Sequence, residues 1–91
     1  MGFIFEWDEE KAQQNVRRHR VTFEEAVSIF SDPYLVTFPD DEHSDVEDRF
    51  ISIGRSDRGR VLLAIHTDRG DAIRLISCRK ATAAERATYE Q

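Results

Sequence analysis

The side chains in this sequence that read as candidates for moving a proton or holding an anion are dispersed along it. His43, Glu47 and Arg49 fall close together, Arg74 and Arg79 bracket a late apolar run, and His19 and Tyr89 stand nearer the two ends. A carboxylate or imidazole to take a proton, an acid to return one, and guanidinium groups to hold negative charge are the inventory for metal-independent cleavage of RNA. That reaction needs a base for the 2′-hydroxyl, an acid for the leaving 5′-oxygen and cations for the charged phosphorane. Glu47 or His43 would be the base, with Glu47 preferred and His43 otherwise the acid. Arg74 and Arg79 would hold the scissile phosphate, while Arg49 orients Glu47 or touches the phosphate itself. A metal is not expected, because the carboxylates of Asp40-Asp41-Glu42-His43-Ser44-Asp45 sit in tandem and no second histidine stands at ligand spacing. A glycine-rich phosphate loop and a serine–histidine–aspartate set are also missing, so no cofactor is expected. The same inventory arises by chance in many small proteins. Residue types alone therefore leave open a non-catalytic, arginine-rich module that pairs with an acidic protein partner.

The elements that must position these groups follow from pattern. Ala72–Cys78 reads as a strand after the turn residues Gly70 and Asp71, with apolar side chains on both parities: Ile73 and Leu75 on one, Ile76 and Cys78 on the other. Strict alternation puts Arg74 and Arg79 on opposite faces, so a shared site requires a bulge or a strand end between them. Thr82 and Glu85 form a capping box that opens a short helix through Tyr89. Upstream, Phe3–Trp7 is a short strand or an extended lead-in. Asp8 caps a helix that is acidic in its first turn (Glu9, Glu10) and basic in its last (Arg17, Arg18, His19), as the helix dipole favours. Thr22-Phe23-Glu24-Glu25 reads as a second capping box, opening a helix whose stripe Phe23, Ala26, Val27 and Phe30 faces the core. Tyr34–Phe38, Glu47–Arg55 and Arg60–His66 are strands, with turns at Asp57-Arg58-Gly59 and Thr67-Asp68-Arg69-Gly70. The expected architecture is α+β: an antiparallel β-meander with the two N-terminal helices packed on one face and a short C-terminal helix.

Residues 1–91 are expected to make one domain with one modest core. No apolar run approaches the ~20 residues of a membrane span, and no secretory signal opens the chain. A single cysteine forbids an internal disulfide, which suits a reduced, cytoplasmic setting. Cys78, inside a strand pattern, reads as a small buried hydrophobe. The net charge of −5 conceals an asymmetry: residues 1–48 hold thirteen acidic and four basic residues, residues 49–91 five acidic and nine basic. Eleven of the thirteen cations are arginine, whose planar fork suits phosphate and carboxylate. An anion site on a C-terminal surface is one reading. Mutual neutralisation across the fold is the other.

From Phe5 to Tyr89 the sequence closely resembles the BrnT family. The resemblance rests on Trp7-Asp8, Asn15, the run Val21, Phe23-Glu24-Glu25-Ala26, Asp32-Pro33, then His43 and Glu47-Asp48-Arg49, and the series Arg74, Arg79, Glu85-Arg86 and Tyr89. It implies a RelE-like fold and an endoribonuclease toxin of a type II toxin–antitoxin pair that cleaves cellular RNA and arrests translation. It also implies neutralisation by a BrnA-type antitoxin, with DNA reached only indirectly, through that antitoxin, and no membrane association. Arg17, His19, Lys80 and Arg86 are then candidate RNA contacts. The chain departs from the family at Arg20, where glycine is usual as a left-handed helix cap, and at Cys78, where alanine is frequent.

Overall fold

The structure, a computed structural model, describes residues 3–43 and 47–91, and His43 by its backbone alone. The elements in chain order are β1 (Ile4–Glu6), α1 (Glu9–His19), α2 (Phe23–Ser28), β2 (Val36–Pro39), β3 (Arg49–Arg55), β4 (Val61–Arg69), β5 (Ala72–Lys80) and α3 (Ala83–Tyr89). Short 3₁₀ turns follow α2 at Ile29–Ser31 and β2 at Asp41–His43. The five strands form one sheet in the order β1-β5-β4-β3-β2.

The fold class is α+β, and the sheet is mixed rather than wholly antiparallel. β2 to β5 pair antiparallel with their chain neighbours, but β1 joins the far side of β5 in parallel, Ile4 beside Ala72 and Glu6 beside Arg74. The chain between β1 and β2 holds α1 and α2, and such a crossover can return the strand in either sense. Nothing in a three-residue strand specifies that sense locally.

The two faces of the sheet carry separate apolar clusters. α1 and α2 cover one face through Ala12, Val21, Phe23, Ala26 and Ile29, which meet Leu62, Ala64, Leu75 and Cys78. On the other face Tyr89 of α3 packs with Ile53, Val61 and Leu63. The α2 stripe departs from expectation at its end. The helix tightens to 3₁₀ after Ser28, so Ile29 is fully buried while Phe30 is half-buried against Phe5 and His66. Eclipsing at i+3 in a 3₁₀ turn shifts the buried position away from the one α-helical spacing would select. Gly54 lies under this turn. A Cβ there would come within 2.9 Å of Leu35 Cδ1 and 3.1 Å of the Ile29 carbonyl oxygen, so glycine sets how closely β3 approaches.

Polar side chains tie the ends of the elements together. Asp8, Thr22 and Thr82 each accept a backbone N–H as helix caps, and Thr82 and Glu85 complete the capping box. The box expected at Thr22 is only half formed, because the buried Glu25 carboxylate is taken up elsewhere, accepting from Ser56 Oγ at 2.7 Å and from the Arg60 guanidinium. Asp32 accepts from the Arg55 amide at 2.7 Å and the Tyr89 hydroxyl at 2.5 Å, fastening α3 to the turn after α2.

Candidate active site

The site is built by β5. Ser77 pairs with Ile65 of β4, and Leu75 pairs with His66, which leaves Ile76 as an extra residue. This bulge shifts the alternation of β5 by one place. Ile73, Leu75 and Cys78 therefore all turn to the α1–α2 face and are buried, and the two parities seen in the sequence are one buried face interrupted by a bulge. Arg74 opposite Thr67 and Arg79 opposite Leu63 consequently share the other face.

Arg74 belongs to a row that crosses four strands. Glu6 of β1 stands beside it, Thr67 of β4 is its other neighbour, and Arg49 of β3 pairs with Thr67. Two strand spacings separate Arg49 from Arg74, about 10 Å at the backbone, a gap that two long guanidinium side chains can close from opposite sides. Between them Thr67 is buried at 1% exposure and its Oγ1 has no hydrogen-bond partner among the described residues. A buried hydroxyl without a partner is uncommon and costly, and this one lies between two arginines. Neither Thr67 nor Glu6 is legible in the sequence as a site residue. Pattern places Thr67 in a turn, whereas β4 continues through Arg69 and turns at Gly70–Asp71.

The other predicted residues are placed as follows. Glu47 precedes β3, is exposed, and lies 3.8 Å from Arg69 Nη2, a weak surface pair. It lies just before Arg49 and so flanks the row. The His43 side chain lies outside the described residues. Arg79 donates from both Nη groups to Glu85, at 2.7 and 2.9 Å. With that fork, and with the Thr82 amide at 2.8 Å, the Glu85 carboxyl is held down to about 2. Arg79 therefore anchors α3 to β5 on the site face, and its side chain already has a carboxylate. Lys80 is exposed and pairs with Leu62 at the strand end, and Arg86 is exposed 3.7 Å from Glu90. Arg17 is exposed on α1, and His19 lies apart from the row, in a cleft between α1 and β5. The Cys78 thiol is pushed up to about 12 by burial, which keeps it out of nucleophilic chemistry. Among the described residues no three His, Cys, Asp or Glu side chains gather as metal ligands, and no helix is long and apolar enough to cross a membrane.

Residues 7–85 match the profile of the family described as "Ribonuclease toxin, BrnT, of type II toxin-antitoxin system". The fold is similar to the crystal structure of the Brucella abortus ribonuclease toxin BrnT, with a TM-score of 0.66 and 28% sequence identity over 90% of this chain and 97% of that one. No curated protein sequence matches. The matched span runs from Trp7 through β5 to Glu85 and so includes Arg49, Thr67, Arg74 and the bulge, and by that match the chain belongs to the BrnT family of ribonuclease toxins of type II toxin–antitoxin systems.

Proposed function

We propose that this protein is an endoribonuclease that cleaves cellular RNA by metal-independent acid–base chemistry and so arrests translation in the cytoplasm. The observation that carries this reading is the row Arg49–Thr67–Arg74, brought onto one face with Arg79 by the bulge at Ile76. A phosphate seated over Thr67 would meet guanidinium groups from both sides, which favours the dianionic phosphorane over the monoanionic diester. Glu47 takes the proton of the 2′-hydroxyl, the 2′-oxygen bonds to phosphorus, and the bond to the 5′-oxygen breaks. The leaving oxygen takes a proton from His43, and the products carry 2′,3′-cyclic phosphate and 5′-hydroxyl ends. In the converse assignment His43 is the base. Arg79, neutralised by Glu85, holds the shape of the face, and Arg17, His19, Lys80 and Arg86 are the candidate contacts to flanking RNA. The scaffold is read as RelE-like, and the neutralising partner as a BrnA-type antitoxin through which alone the pair touches DNA.

The test is cleavage of end-labelled RNA by the purified chain, with and without EDTA, alongside thermal unfolding of Arg74→Ala and Arg74→Lys. Cleavage that persists in EDTA is expected, and so is an Arg74→Ala variant that folds normally but loses about 10²–10³ in rate, by analogy with loss of a single oxyanion donor. Lysine restores only part of it, because a point charge lacks the bidentate fork. Activity lost to EDTA and returned by a divalent ion would overturn the metal-free mechanism. A fully active, stable Arg74→Ala would remove Arg74 from the site.

A further inference from the structure

The cleft that holds His19 has a construction of its own. β1 stops where Glu6 meets Arg74, so from Leu75 onward the edge of β5 facing away from β4 has no strand beside it. α1 fills that place through one residue. Buried Asn15 donates Nδ2 to the Cys78 carbonyl at 2.7 Å and to the Val21 carbonyl at 2.9 Å, and its Oδ1 accepts the Cys78 N–H at 3.0 Å. α1 is thereby held at a fixed distance from the bulge, leaving a cleft of about 190 Å³ between them. That is room for several waters or for a phosphate group.

Lys11, Gln14, Arg18, His19 and Ser77 line it, and no carboxylate does. This composition is unusual on a chain of net charge −5. Arg60, Arg69, Arg79 and Arg86 each have a carboxylate partner. Among the described residues no such ion pair is formed by Lys11 or Arg18. The helix dipole accounts for Arg18 and His19 in the last turn of α1, but not for Lys11. A cation in the first turn stands at the positive end, where the dipole disfavours it. Its position, one and two turns before Gln14–Asn15 and Arg18 on the same stripe, has another explanation in the cleft.

We propose that this cleft is a phosphate subsite for the RNA backbone, gripping a nucleotide next to the one cleaved. This rests on the ribonuclease reading above and adds where the flanking strand lies. Arg74 and Ser77 are on one strand, about 7–10 Å apart, and the backbone between them turns at the bulge. A single RNA strand thus passes over the end of β1, with its scissile phosphate at Arg74 and a neighbouring phosphate between Lys11 and Arg18. Arg17, exposed on α1, does not line this cleft.

The experiment compares the unmodified chain with Lys11→Gln/Arg18→Gln and Lys11→Ala/Arg18→Ala. Affinity for a single-stranded 2′-O-methyl oligonucleotide, which cannot be cleaved by 2′-attack, is measured by fluorescence anisotropy across a salt series. Both double variants are expected to bind about tenfold more weakly at low salt, with the slope of log K against log salt reduced by about 0.7 for the lost phosphate. Steady-state cleavage should show the loss mainly in KM, whereas Arg74→Ala shows it mainly in kcat. Wild-type affinity and slope in both double variants would overturn the subsite even if the enzyme cleaves RNA normally. A chain that cleaves no RNA yet loses oligonucleotide affinity in both variants would sink the ribonuclease reading and leave the subsite standing.

Discussion

Arg20 caps α1 in a conformation that ordinarily belongs to glycine. It holds φ 59° and ψ 33°, and its N–H reaches the Val16 carbonyl. The left-handed cap is thus kept although the side chain is arginine, and the Arg60 guanidinium donates to the Arg20 carbonyl at 3.3 Å, holding the peptide in place. A side chain in this conformation costs on the order of 1 kcal/mol. Arg20→Gly should recover about that much, visible as a Tm increase of roughly 4–8 °C for a domain of this size. His66 supplies a second expectation. Its ring lies between Phe30 and Phe50, Nε2 shares a 2.7 Å hydrogen bond with Ser52 Oγ, and Nδ1 is buried without a partner among the described residues. Burial lowers its pKa below 6.5. The folded state therefore prefers the neutral ring, and the stability this confers is complete above about 6.5 and declines as pH falls below it. In His66→Phe, whose ring keeps the stack while Ser52 keeps Thr37, the slope of Tm between about pH 6.5 and 5 should flatten. An unchanged slope would assign that titration elsewhere.

Among the helices and strands, the helix caps are legible in the sequence and the register is not. Asp8, Thr22, Thr82 and the capping-box Glu85 are readable because capping is a local affair of three or four residues. The β5 bulge shows only as a puzzle, apolar residues switching from odd to even positions between Leu75 and Cys78. A central strand covered on both faces gives the same string, and only the pairing with β4 distinguishes them. The parallel partnership of β1 leaves no trace at all, since it is decided by where β5 arrives. α-Helical spacing, extended into a 3₁₀ turn, selects Phe30 where the fold buries Ile29. Ile29→Ala should accordingly cost about 2–5 kcal/mol and Phe30→Ala less, the reverse of what residue size suggests. Equal or inverted losses by chemical denaturation would show that the buried position has been misassigned. Deleting Ile76 tests the bulge itself. Without Ile76 the strand alternates regularly, with Leu75 still opposite His66 and Ser77 opposite Ile65, so Arg74 and Arg79 keep a common face and RNA cleavage should persist; cleavage lost at an unchanged unfolding temperature would show that the bulge itself shapes the site.

Across the domain, the acidic first half and basic second half do partly neutralise each other, through Glu25–Arg60 and Glu47–Arg69. What this pairing leaves over is local, a cleft beside β5 that no carboxylate lines. The titrations also set a pH window. Glu85, drawn down to about 2 by Arg79, stabilises the fold above its ordinary 4.5 and gives this up as pH falls toward 2, and Glu25 and Asp32 act in the same direction. Cys78, raised from 9.0 to about 12, costs the fold nothing below about pH 9; above it the thiol ionises first in the unfolded chain, which favours unfolding. Stability should form a plateau between about pH 6.5 and 9. In Arg79→Met the acid decline below about 4.5 should be shallower, because Glu85 then gains little from staying charged, and unfolding midpoints across that range would show it.

The place of β5 in the chain has a consequence for synthesis. β5 lies inside the sheet, between β1 and β4, and is the last strand in the sequence. β1, the first strand of the domain, has no partner until β5 has been translated, and the row around Arg74 cannot close before then. A truncated or stalled product ending before β5 carries Glu6, Arg49 and Thr67 but no assembled arginine row. On the proposed reading, RNA cleavage becomes possible only after the final strand appears, an interval in which a neutralising partner already present can wait for it.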